Sequence, residues 1–172
     1  MGDAALAAWD LNLAEECFKS AKDLGSLLLL YTATGSRDGL KHLSTLAQEA
    51  YQNNIAFTCE LALGNISACV DLLVSTGRTP EAVLFSRTYK PSLTAGLVEK
   101  WKADLNKNGK EKLAKSIASP DGNLDLFPEW PDYLEKERGL DGDDVDGGIH
   151  PSLGQWLTFS SKGGRGTVLE GK

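Results

Sequence analysis

Three cysteines, two histidines and a late run of carboxylates are the residues of this 172-residue chain with chemistry to offer. Cys17, Cys59 and Cys69 have no C-x-x-C spacing of the kind that holds zinc or a redox pair, so reduced core thiols are the simpler reading. His42 follows Lys41 with no neighbour in sequence to make it a base or a ligand, and reads as an exposed or half-buried helical histidine. LDGDDVDGGIHPSL, from Leu140 to Leu153, has the look of a calcium loop. Placing Gly147 at the sixth position, however, puts Gly142 first and Leu153 twelfth, where the outer carboxylates belong. GTVLEGK, from Gly166 to Lys172, spells the first seven letters of a phosphate loop but brings no Ser or Thr for magnesium and no helix to point at a phosphate. KGGRG carries one Arg, too little charge to hold a polyanion. Asn65-Ile-Ser fits a glycosylation pattern but falls in a helical turn. No nucleophile, acid–base pair or metal set emerges, so neither catalysis nor a cofactor is expected.

The elements that carry these residues repeat. AWDLNLAEECFKSAKDL, residues 8 to 24, aligns without a gap on AYQNNIAFTCELALGNI, residues 50 to 66, at an offset of 42. Trp9 meets Tyr51, Asn12 meets Asn54, Leu13 meets Ile55, Ala14 meets Ala56 and Cys17 meets Cys59. The next block keeps that register, with Leu30 on Leu72, Thr34 on Thr76 and Gly35 on Gly77. Apolar residues at 13, 14, 17, 18 and 21 form one stripe of a 3.6-residue period. Gly35 and Gly77 suit helix C′ positions, and Thr79-Pro80-Glu81 reads as a helix start with Thr79 as its cap. Each copy is read as a pair of short helices with a tight turn. Helices are expected at 3–8, 11–22, 26–34, 38–52, 55–63, 66–75, 80–88, 92–105 and 110–118, with no strands. A unit this small cannot bury its own apolar face, so the units must stack. The fold class is all-α: an α-solenoid of stacked helix pairs, similar to tetratricopeptide repeats, over residues 1–119. An extended linker is expected at 120–130. Residues 131–172 hold half of the 18 glycines and are expected to be a disordered acidic tail. Within it, Trp156, Leu157 and Phe159 could serve as a short anchor.

Composition narrows the partners. A formal net charge of −6 and a pI near 4.9 argue against nucleic acid or an anionic membrane. The longest basic stretch, Lys102 to Lys115, is broken by acids and amides and reads as a solvated helix face. LLLLY at 27–31 is too short to span a bilayer, which takes about 20 apolar residues. MGDAALAAWD has no basic region of a signal peptide, and Leu6 stands where a myristoylation site needs Ser or Thr. A cytoplasmic setting is expected.

The long runs AEECF, KDLGSLLLLYTATG, NIAF and TGRTPEAVLFSRTYKPS closely resemble the carboxy-terminal solenoid of the beta-prime subunits of coatomer, the COPI vesicle coat. The likeness covers about residues 2–130, more loosely after 100. It implies a structural coat role in Golgi-to-ER and intra-Golgi transport, and pairing with the alpha subunit's solenoid and other coat subunits. It also implies a location on Golgi membranes reached only through the coat. No propeller is legible, so dilysine recognition is not carried over. Interface energy concentrates in aromatics and arginines, which makes Arg87, Tyr89, Trp101, Phe127 and Trp130 the partner-interface candidates. LFPEWP, with two prolines and a Trp, could itself dock in a partner's groove. A peptide-binding adaptor is the alternative reading, but of its usual polar groove array only Asn12 and Asn54 recur. Exposed solenoid ends are expected to allow self-association.

Overall fold

The computed structural model describes residues 1–141 as a run of α-helices with no strand among them. In chain order they are α1 Gly2–Ala7, α2 Leu11–Ala21, α3 Leu24–Thr34, α4 Arg37–Glu49, α5 Asn53–Leu63, α6 Ile66–Ser75, α7 Thr79–Tyr89, α8 Thr94–Lys107, α9 Glu111–Ser116 and α10 Trp130–Asp141. Consecutive helices pack on one another throughout the first nine, and α3 also reaches α5. This is the all-α, tetratricopeptide-like solenoid read from the sequence.

The 42-residue period is visible in the helix starts themselves: Leu11, Leu24 and Arg37 recur as Asn53, Ile66 and Thr79. One period therefore holds three helices rather than a single pair. The third was hard to read as part of the repeat because RDGLKHLSTLAQE and TPEAVLFSRTY share little except Ser44 with Ser86. Caps recur too. Asp10, Asp23 and Ser36 accept the N–H groups of Leu13, Ser26 and Gly39 at 3.1, 3.0 and 3.3 Å. Gly35 and Gly77 end α3 and α6 at φ 67° and 75°, the left-handed conformation expected of them. Trp9 and Tyr51 are left-handed as well, at 59° and 57°, and expose their rings at the ends of α1 and α4. Thr79 is not the cap of α7: Arg78 holds that place, and Thr79 is the first helical residue, its hydroxyl reaching Asp104 at 3.4 Å.

Two core clusters run through the stack. The first joins α1 to α5 through Ala14, Phe18, Leu27, Tyr31, Leu43, Ala47, Ala56 and Cys59; the second centres on Val70, Leu73 and Ala82. Small residues at Ala14, Ala47 and Ala56, all fully buried, let helix axes approach. The position at which α1 meets α2 recurs where α4 meets α5, solved differently each time. Gly2 lies against the Phe18 ring, so close that a Cβ would sit 2.3 Å from a ring carbon. Forty-two residues on, Ser44 instead donates to Glu60 Oε1 at 2.5 Å, and Glu60 Oε2 takes Asn65 Nδ2 at 2.7 Å.

Cys59 and Cys69 are buried thiols, and burial pushes them up to about 11 and about 12. A thiol's ordinary value is about 8.5, so the unfolded chain gives up these protons first. Their contribution to stability is complete below that pH and is lost as pH rises toward the folded values. In native buffer at pH 8, a colorimetric thiol reagent is expected to reach half-buried Cys17 first, and Cys59 and Cys69 only on unfolding. Three equal rates would show the core to be open. His42 is exposed.

The segment after α9 departs from the expected linker and tail. Residues 120–130 make a 3-10 turn at Pro120–Gly122 and further turns, and α10 begins at Trp130, so the expected boundary at 130/131 falls on a helix start. The glycine density of 131–172 masked a local helix signal: Pro131 in the first turn, Asp132 near the amino end and Arg138 near the carboxy end. The acidic loop from Gly142, the Trp156–Phe159 anchor and the GTVLEGK motif lie outside the described residues.

Candidate functional site

The sequence candidates gather where α7 ends and the chain folds back. Arg87 and Tyr89 occupy the last turn of α7, where a cation also suits the negative end of the helix dipole. The Tyr89 ring lies 4.7 Å from that of Phe85, which meets Phe57 of α5 edge-on at 5.4 Å. These rings run from the second unit toward the surface. Arg87 is exposed, and its guanidinium stands 5.2 Å from the centre of the Phe127 ring, a cation–π contact worth about 0.5–1 kcal/mol at an exposed site. Phe127 and Tyr89 are half-buried.

Trp130 is different. It is 2% exposed, and its indole N–H donates to Asp121 Oδ1 at 2.5 Å. Its place is inside the chain, not on a free surface. Trp101 lies half-buried midway along α8. So Arg87 and Phe127 come together, Tyr89 shares their helix end, and Trp130 anchors the segment that delivers Phe127. LFPEWP thus docks on its own solenoid.

Two further residues hold this arrangement. Glu137 of α10 is buried, and its carboxylate accepts the Ser92 backbone N–H at 2.7 Å and the Ser92 hydroxyl at 2.5 Å. That clamps α10 to the 3-10 turn Pro91–Leu93 between α7 and α8. Sequence reasoning missed both residues. The available signal was the helix pattern of WPDYLEKER, which implies a docked face and therefore a partner for any carboxylate on it.

Nothing else among the described residues competes as a site. An open cavity of about 660 Å³ between α8 and α9 is lined by Glu99, Lys102, Asn106, Glu111 and Lys115, with Lys102 and Glu99 paired at 2.9 Å. Charges of both signs at an open surface select no ligand class. No group of three or more His, Cys, Asp or Glu among the described residues is placed to hold a metal ion, and every buried side-chain N or O has a partner. No helix there is long and apolar enough to cross a membrane.

Comparison with known proteins bears on the helical stack. Residues 1–102 match the family described as COPA/B TPR domain. The chain is 49% identical over 126 residues, 73% of its length, to the probable coatomer subunit beta' of Schizosaccharomyces pombe. It is 38% identical over 162 residues, 94% of its length, to coatomer subunit beta'-1 of Arabidopsis thaliana, an alignment that runs on past Asp141. The corresponding protein of Caenorhabditis elegans is 39% identical over 140 residues, 80% of the chain. The chain spans 15%, 17% and 14% of these relatives' own lengths. The family match takes in two complete 42-residue units and most of α8, and on that match the chain belongs to the COPA/B TPR domain family.

Proposed function

We propose that this chain is the helical-repeat part of a COPI coat subunit of the beta-prime type. Its work is assembly: it buries apolar and aromatic surface against the solenoid of the alpha subunit and so helps build the coat that serves Golgi-to-ER and intra-Golgi transport. It meets the membrane only through that coat. The observation that carries this reading is the family match over 1–102, laid on a structure whose repeats are filled with apolar side chains at the recurring positions. The peptide-capture alternative loses support at one of its two recurring polar residues, because Asn54 Oδ1 already accepts from Arg78 at 3.3 Å.

Within this reading the contact region is the end of α7 with the segment laid over it: Arg87, Tyr89 and Phe127, with Trp101 along α8. Trp130 acts by holding Phe127 in place. The test is light scattering on a sizing column, for this chain alone and mixed with the alpha subunit's solenoid fragment. A complete shift to a one-to-one complex supports the assembly role, and no shift from a helical, folded chain overturns it. Arg87→Ala is expected to weaken that complex about tenfold, or 1.4 kcal/mol. In the free chain it should cost no more than about 1 kcal/mol, the worth of its contact with Phe127. Equal loss in both measurements would make Arg87 a residue of the fold, not of the interface.

A further inference from the structure

Ser92 lies in the 3-10 turn Pro91–Leu93 that joins α7 to α8, and it is exposed. Between Glu81 and Glu99 the chain has no acid, and Arg87 and Lys90 stand five and two residues before this serine. The other hydroxyls of that stretch are placed differently. Ser86 and Thr94 are buried and hydrogen-bonded to each other at 3.0 Å, and Thr88 lies within α7 with its hydroxyl on the Leu84 carbonyl. Ser92 is the hydroxyl of this stretch that an enzyme selecting nearby cations meets on an accessible turn.

Facing it is Glu137 of α10, 9% exposed. Ser92 engages both of its oxygens: Oε2 accepts the backbone N–H at 2.7 Å and Oε1 the hydroxyl at 2.5 Å. Among the described elements α10 packs mainly on this turn, so the hydroxyl is part of what holds the helix. We propose that Ser92 is a phosphorylation site and that its phosphate unlatches α10 from the solenoid. In the reaction Ser92 Oγ attacks the γ-phosphorus of ATP, held by a serine kinase that selects Lys and Arg before its target. The Oγ–P bond forms, the bond from that phosphorus to the bridging oxygen breaks, ADP leaves, and the hydroxyl proton passes to the kinase's base. The modified residue has no hydroxyl hydrogen to donate, and it brings a charge of about −1.5 to −2 beside a buried carboxylate. Like charges that close disfavour one another in a site with little water, and Glu137 leaves the turn. Trp130 is buried apart from this contact and keeps the start of α10 in place, so the opening is confined to the residues after it.

The test takes the whole 172-residue chain through incubation with an Arg- and Lys-directed serine kinase and ATP. Mass spectrometry places the phosphate, and amide hydrogen exchange is followed before and after. Ser92 should take the phosphate ahead of other hydroxyls. The amides from Leu134 to Arg138 should then exchange about tenfold faster or more, the worth of a hydrogen bond to a charged group, while α3 to α6 keep their protection. Glu137→Gln separates charge from bulk. Its amide carbonyl still accepts from the Ser92 N–H and its amide N–H groups donate to a phosphate, so phosphorylation should change α10 exchange less than about threefold in that variant. Protection of α3 to α6 checks that the variant is folded. Phosphate on other residues but not on Ser92, unaltered α10 exchange in the phosphorylated chain, or equal opening in Glu137→Gln would each overturn the proposal.

Discussion

Replacing Trp130 by alanine should release the segment from Pro120 to Asp141 while leaving the helical stack folded. Truncating a fully packed Trp costs about 3–5 kcal/mol, because both its transfer energy and the contacts around the void are lost. Trp130 is the buried anchor of a segment otherwise tied down by the Glu137–Ser92 hydrogen bonds and the Arg87–Phe127 contact. Each of those is worth far less: a hydrogen bond to a charged group contributes about 1.5–3 kcal/mol, and an exposed cation–π contact less than that. The segment should therefore open locally, ahead of the rest.

Amide hydrogen exchange distinguishes the outcomes. In Trp130→Ala the amides of α10 should lose most of their protection, while those of α3 to α6 keep theirs. Trp130→Phe retains most of the ring burial and loses the bond to the Asp121 carboxylate, and should fall about 1.5–3 kcal/mol short of the parent, less than the alanine variant. Unchanged protection of α10 in Trp130→Ala would mean that Trp130 does not hold the segment. Uniform loss everywhere would mean that the segment and the solenoid unfold as one unit. The same variant also bears on partner binding, since without its anchor Phe127 no longer sits beneath Arg87.

What the sequence made legible was whatever local spacing records. The 42-residue offset showed in Ala14 with Ala56 and Cys17 with Cys59, because those positions must stay small for helices to approach. Gly35 and Gly77 marked helix ends through their backbone freedom. Three things were not legible. The third helix of each period shares almost no residue types between copies, since its contacts are made with different neighbours. The docking of 120–141 depends on Ser92 and Glu137, far apart in sequence and each unremarked in its own neighbourhood. Trp130 was readable as important but not as buried, because a Trp between prolines looks the same whether its groove belongs to a partner or to its own chain.

The recurring contact between units gives the second large prediction, an exchange of one unit's packing solution for the other's. Phe18 and Glu60 are equivalent, as are Gly2 and Ser44. Glu60→Phe alone drives a ring toward the Ser44 side chain in a site where even a Cβ at Gly2 would come within 2.3 Å of the Phe18 ring. Overpacking of this kind costs about 1–3 kcal/mol, and the lost bonds to Ser44 and Asn65 add to it. Ser44→Gly alone removes the donor at 2.5 Å and puts glycine inside α4, at about 1 kcal/mol for the backbone. Together the two changes recreate the Gly2–Phe18 contact. The double variant should therefore be more stable than the sum of the singles implies, by about 0.5–3 kcal/mol, the range seen for residues in direct contact. Urea unfolding of the four proteins in the cycle reads that coupling directly. Strict additivity would mean that α4 and α5 do not meet as α1 and α2 do, and that the repeat is one of sequence without being one of packing. A coupling larger than the one Ser44–Glu60 bond, which each single loses and the double loses only once, would make the α1–α2 and α4–α5 contacts interchangeable solutions to a single steric problem: how closely two helices of this solenoid approach.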